Sequence, residues 1–232
     1  MNTVIGNRAL DRLLAIQRFL AYISPPRQRH NEDQDGLPYS LHMKTGVGLC
    51  GAHRVGKTTL ALAVAQVTHI PFLKTQTSHL FAERGLNPAI PMPFSTRLSI
   101  QEDILSAAQQ VWNQEPGRFI SDRTPLDMAA YTLADIQGTT AVHTASLIRY
   151  LDDCIAKTNR FFSTLIIVSP GIPLVAEPGK AALHEAYIEH IHTLVVGLCH
   201  DPRITASVFC IPRDVLSLED RVKRVRAFLK EA

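Results

Sequence analysis

Several common features are scarce or missing in this sequence. Its 232 residues hold four cysteines, Cys50, Cys154, Cys199 and Cys210, with no CxxC pair. Neither a zinc site nor a disulfide framework follows from such spacing, and the thiols read as core groups in a reducing compartment. No apolar run approaches the roughly 18–20 residues of a membrane span, so no membrane partner is expected. The first residues carry Asn2, Arg8, Asp11 and Arg12 and lack a signal-peptide apolar region with a cleavage site, which makes a cytoplasmic protein the expectation. Charge is modest: 19% of residues are Asp, Glu, Lys or Arg, and the net charge is +3. That suits a phosphate-bearing ligand but is too weak to announce a nucleic-acid binder. Hydrophobic residues make up 46%, which excludes a disordered or fibrous chain. There is no internal repeat and no low-complexity tract.

What is present is an alternation of short apolar runs and helical patterns. Residues 1–44 read as an N-terminal extension. In it Leu10, Leu13, Leu14, Ile16, Phe19 and Leu20 recur at helical spacing, Pro25-Pro26 ends the pattern, and a polar linker follows over 24–38. Residues 45–232 read as the compact domain. Strands are expected at Val47–Cys50, Pro71–Thr75, Arg118–Ser121, Thr164–Val168 and Ala206–Ile211. Helices are expected at Lys57–Thr68, Ile100–Trp112, 125–136, 141–159, Ala181–Cys199 and Leu216–Leu229, with 76–98 mostly loop. Five strands with intervening helices imply an α/β fold with a parallel sheet covered on both faces. Trp112, the single tryptophan, falls at a core position of its helix.

The strongest motif is Gly51-Ala52-His53-Arg54-Val55-Gly56-Lys57-Thr58-Thr59, which fits G-x-x-x-x-G-K-[ST] at every fixed position. An apolar strand precedes it and a helix follows. Gly51 and Gly56 permit turns that aim backbone N–H groups inward, and the helix starting at Lys57 adds its N-terminal dipole. Lys57 would neutralise the β/γ-phosphates, and the Thr58 hydroxyl is placed for Mg²⁺. The motif therefore implies ATP or GTP with Mg²⁺, but not the reaction that follows.

Ser121-Asp122-Arg123-Thr124-Pro125-Leu126-Asp127 is the second signal. An apolar strand there ends in a carboxylate followed by an arginine, and strand ends at the carboxyl edge of a parallel sheet line the ligand crevice. Asp122 would hold the metal or take the acceptor's proton, and Arg123 would clamp a phosphate. The alternative for Asp122 is a cap on the helix that begins near Pro125. Asp127 is either a substrate contact or a first-turn acid favoured by the helix dipole.

With these two motifs in place, the chain resembles the P-loop nucleoside and nucleotide kinases, in the flavour of small phage-type kinase-like proteins related to deoxynucleotide kinases and nicotinamide-riboside kinase domains. The resemblance covers roughly 45–232 and implies a P-loop NTPase fold with a five-stranded parallel sheet ordered 2-3-1-4-5, ATP and Mg²⁺ as cofactors, and a nucleoside or nucleotide acceptor. Related kinases are often dimers, which makes a homodimer one option and leaves the oligomeric state open. By position it places Thr75 after the second strand on the acceptor side, where many nucleoside kinases carry a carboxylate. It places Arg97 and Gln101 where a glutamine reads the acceptor base, and Lys180 at the start of the lid, where an arginine is usual. Asp122 is then the best candidate base.

The expected function is Mg-dependent phosphoryl transfer from ATP to a nucleoside or (deoxy)nucleoside monophosphate. One alternative keeps the chemistry and makes the acceptor a hydroxymethylated pyrimidine, such as 5-hydroxymethyluracil, within DNA. The other is an ATPase or switch module that binds a protein partner. His184, His190 and His192 do not have zinc-site spacing. Arg221, Lys223, Arg224 and Arg226 read as a solvated basic face.

Overall fold

The computed structural model describes residues 45–75, 77–86, 90, 92–175 and 184–231. The helix and linker expected over 1–44, and the candidate Lys180, lie outside them. Strands β1 (Gly46–Cys50), β2 (Phe72–Leu73), β3 (Ile120–Ser121), β4 (Phe162–Val168) and β5 (Ser207–Ile211) form one sheet in the order β2-β3-β1-β4-β5. Every pairing is parallel. This is the order that the resemblance implies. β1 is buried along its whole length and β4 almost so, as strands covered on both faces must be.

The helices are α1 (Lys57–Thr68), α2 (Thr77–Glu83), α3 (Phe94–Asn113), α4 (Pro125–Ala134), α5 (Thr144–Phe161), α6 (Glu185–Cys199) and α7 (Leu218–Glu231). One boundary differs clearly from expectation. α3 begins at Phe94, six residues ahead of Ile100, directly after Pro93. Ser95, Thr96 and Arg97 read as loop by composition. Yet Phe94 and Leu98 continue the buried stripe of Gln101, Leu105, Ala108 and Trp112 backwards at alternating four- and three-residue steps. Burial of those two large side chains outweighs the weak helix propensity of Ser and Thr.

The order of the strands puts the exits of β1 and β3 side by side, with Gly48 opposite Ser121. An aromatic cluster supports this edge. Trp112 packs on Phe161 and Phe162 with ring centres 5.5 and 5.1 Å away, and Phe162 packs edge-on against Phe119. The indole Nε1–H of Trp112 donates to Ser121 Oγ at 3.2 Å, and that hydroxyl donates to Arg123 O at 2.8 Å. Trp112 is thus core, as expected, and also fixes the turn that follows β3.

Gly48 sits where nothing larger fits. A Cβ there would run into the Thr124 methyl group and approach the Phe162 ring to 2.9 Å. Overpacking of this kind costs roughly 1–3 kcal/mol. Gly48→Ala is therefore expected to lower unfolding free energy by about 2 kcal/mol in urea denaturation, and an unchanged midpoint would contradict the packing described.

Candidate phosphate-transfer site

The loop between β1 and α1 has the backbone its glycines permit. Gly56 takes φ 86° and Arg54 φ 67°, both left-handed, and no side chain caps the start of α1. The first turn of α1 also holds no acid. An uncapped helix N-terminus presents amide groups and the positive end of its dipole, which is the arrangement that binds phosphate.

Lys57 is buried and folds back over this loop. Its Nζ donates to Gly51 O at 2.5 Å and Ala52 O at 2.6 Å, and lies 4.0 Å from Asp127 Oδ1. Burial lowers its pKa to about 8, against the pull of the Asp127 carboxylate and with a further push from Arg123.

Asp127 is wholly enclosed. Its Oδ1 accepts from the Gly51 N–H at 2.8 Å, and its Oδ2 accepts from the Thr124 N–H and hydroxyl, both at 2.9 Å. Thr124, Pro125 and Asp127 make a capping box with proline at the first turn. Of the two readings open for Asp127, this arrangement has the first-turn acid and adds a bond to the phosphate loop. The hydrogen bonds of its two oxygens go to Gly51 and Thr124.

Asp122 meets the start of α1. The Thr58 hydroxyl donates to its Oδ2 at 2.5 Å, while its Oδ1 is buried without a hydrogen-bond partner. A buried carboxylate oxygen with no partner needs a cation or a donor to satisfy it. The Thr58 hydroxyl beside it is a hard oxygen of the type that suits Mg²⁺. These residues therefore fit the metal that the motif implies. Asp122 does not cap α4; Thr124 does.

Arg123 is half-buried, with its guanidinium carbon 5.6 Å from the centre of the Tyr131 ring. The Tyr131 hydroxyl accepts from the His53 N–H at 2.8 Å. His53 also lies against Tyr187 of α6, ring centres 5.8 Å apart. Tyr131 and Tyr187 carry no motif in the sequence, and only the packing of α4 and α6 brings them to the loop. Burial raises both phenol pKa values, that of Tyr187 to about 12. Within the loop Ala52 and Val55 are buried, whereas Thr59 is exposed on α1.

On the acceptor side, Thr75 follows β2 and is buried, and its hydroxyl has no partner. Arg97 of α3 pairs with Asp135 at 2.8 Å and lies 5.8 Å from the Phe81 ring centre. Gln101 is buried on the same helix. Arg221 departs from the solvated face expected of it. It is 2% exposed, in line with buried Val225 and Leu229 on α7, and its Nη1 donates to Val55 O of the phosphate loop at 3.0 Å. The neighbours Lys223 and Arg224 remain exposed.

No protein-family model matches the sequence, and no curated protein matches it. Solved structures do match. A deoxyadenosine kinase from M. mycoides with bound dATP is 14% identical with a TM-score of 0.59, over 80% of this chain and 99% of that one. The chain has the fold of the P-loop nucleoside and nucleotide kinases. A thymidylate kinase from Candida albicans is 14% identical with a TM-score of 0.54, over 81% of this chain and 91% of that one. A NadR protein in complex with NR gives a TM-score of 0.52 at 11% identity, over 80% of this chain and 49% of its own. Among the described residues no helix is long and apolar enough to cross a membrane.

The lowered pKa of Lys57 gives a prediction with a definite sign. The ammonium binds phosphate only while charged, so nucleotide affinity is expected to hold up to about pH 7.5 and to weaken as pH rises through about 8. The limit is about tenfold per pH unit. In the free protein the sign reverses. The unfolded chain holds the Lys57 proton up to about 10.4, so this residue makes unfolding harder as pH climbs from 8 towards 10. Titration of ATP between pH 7 and 9.5 checks the first statement, and Lys57→Ala is expected to bind weakly with no break near pH 8.

Proposed function

We propose that this chain is a Mg-dependent phosphotransferase that moves the γ-phosphoryl group of ATP to a nucleoside monophosphate. The observation that carries the reading is the Asp122 carboxylate. It accepts from the Thr58 hydroxyl with one oxygen and holds the other buried and unpartnered beside the uncapped start of α1. This supports Thr58 and Asp122 as the metal-holding pair. Thr58 and Asp122 would hold Mg²⁺ there, and the ion would supply positive charge to offset that of the donor phosphates.

The protein's own residues have defined tasks in this reading. The loop amides of residues 52–58 cradle the donor phosphates, and Lys57 leaves the Gly51 and Ala52 carbonyls to meet them. Arg123 faces the acceptor phosphate from the turn after β3. A phosphate oxygen of the acceptor attacks the γ-phosphorus, the bond to the β–γ bridging oxygen breaks, and ADP leaves with the electron pair. Catalysis rests on positioning and electrostatics.

The chemistry of the acceptor side favours a phosphate over a sugar hydroxyl. Thr75 and Arg123 offer a hydroxyl and a cation, with the Arg97–Asp135 ion pair alongside. Of the nearby carboxylates, Asp122 holds Thr58 with one oxygen and in this reading gives the other to the metal, Asp127 is taken up by Gly51 and Thr124, and Asp135 by Arg97. A hydroxyl acceptor must lose a proton to a base, whereas a phosphate oxygen is nucleophilic at pH 7. The acceptors named for two of the similar structures, deoxyadenosine and thymidylate, are of these two kinds.

Transfer of labelled γ-phosphate from ATP tests the reading directly. The acceptor panel comprises nucleosides, the common ribo- and deoxyribonucleoside monophosphates, and DNA with plain or hydroxymethylated pyrimidines. Label is expected on a monophosphate, falling by roughly 10²–10³-fold or more in Lys57→Ala and Asp122→Asn. Label on a nucleoside or in DNA would move the acceptor and keep the chemistry. Label released only as free phosphate would overturn the kinase reading.

A further inference from the structure

Arg221 is a buried cation whose charge no carboxylate among the described residues answers. Its Nε donates to Val215 O at 2.7 Å and its Nη1 to Val55 O at 3.0 Å, while Nη2 is buried without a partner. Other arginines of the described residues face an acid: Arg84 has Asp103, Arg97 has Asp135, Arg203 has Asp201 and Asp152, and Arg213 has Glu189. Burial alone acts on the Arg221 guanidinium and weakens its hold on its proton. An unanswered charge in this position is expensive unless an opposite charge arrives from elsewhere.

The place of Arg221 says where that charge comes from. Its Nη1 would lie 3.8 Å from a Cβ on Gly56, so it sits against the outer side of the phosphate loop. The peptide between Val55 and Gly56 is planar and trans. With the Val55 C=O drawn outward onto Arg221, the Gly56 N–H of the same peptide must point the opposite way, to the concave side of the loop. Such inward amides make an anion-binding nest. Through Val215 the same guanidinium ties this loop to the segment between β5 and α7.

We propose that Arg221 is a positioning residue for donor binding: it turns the Val55–Gly56 peptide so that its N–H faces the donor phosphates, and the donor's polyphosphate is the counter-charge that no carboxylate among the described residues gives Arg221. The inference rests on the reading of this loop as the ATP site. It names a residue on the last helix, distant in sequence, as a determinant of donor affinity.

The test is binding of MgATP and of base-free inorganic tripolyphosphate to the full chain and to Arg221→Gln and Arg221→Lys, by calorimetry at several salt concentrations. Thermal midpoints are measured with and without ligand. Arg221→Gln is expected to lose on the order of tenfold in affinity for both ligands and to show a shallower salt dependence. Its free form should melt no lower than the parent by more than a few degrees. Arg221→Lys keeps the charge and is expected to bind within about threefold of the parent. Equal affinity in parent and Arg221→Gln would overturn the proposal, as would a loss of tenfold or more in Arg221→Lys, which also decides the matter if Arg221→Gln does not fold. A parent protein that binds neither ligand would instead remove the reading of the loop itself.

Discussion

One carboxylate joins the two halves of the site. Asp127 has one oxygen on the first amide of the phosphate loop and the other on Thr124, at the head of the helix after β3. Both contacts are charge-assisted and wholly buried, the setting in which each bond contributes most and a missing partner costs most. The exits of β1 and β3 are neighbours because of the strand order, but neighbouring strands leave their loops free to splay. Asp127 removes that freedom. Asp122 is thereby brought to Thr58, and Arg123 to the same edge of the loop.

The remaining groups form an electrostatic arrangement that is incomplete without an anion. Lys57, Arg123 and Arg221 lie around the uncapped N-terminus of α1. Asp127 answers part of that charge, and Asp122 keeps one oxygen unused. In the free protein Lys57 turns inward to two loop carbonyls and has a lowered pKa. In the proposed function a polyphosphate with its metal would supply charge for the cations and a cation for Asp122.

Much of this could be read from the chain because the signals are local. Gly51–Thr59 places its glycines, lysine and threonine within nine residues, and the strand before it and helix after it were evident from apolar pattern. Asp122-Arg123 at a strand end was equally local, although its place beside the loop depended on a strand order that resemblance supplied. The parts that could not be read are those that tertiary contact decides. Asp127 as a first-turn acid and Asp127 as a bridge to Gly51 look the same in sequence. Arg221 among three other basic residues reads as surface, and only its alignment with Val225 and Leu229, four and eight positions on, hinted at a buried face. The start of α3 at Phe94 was hidden by Ser95 and Thr96. The pairing of Arg97 with Asp135 joins two helices 38 positions apart and leaves no trace in either segment.

The central claim is that Thr58 and Asp122, from different strand exits, act as one metal-holding unit. ATP affinity measured with and without Mg²⁺ in the parent, Thr58→Ala, Asp122→Asn and the double variant tests it most directly. The account predicts that Mg²⁺ strengthens binding in the parent, that either single change removes most of this gain, and that the double variant loses no more than a single one, a coupling of about 1 kcal/mol or more. Losses that simply add, or a Mg²⁺ gain that survives both changes, would contradict it.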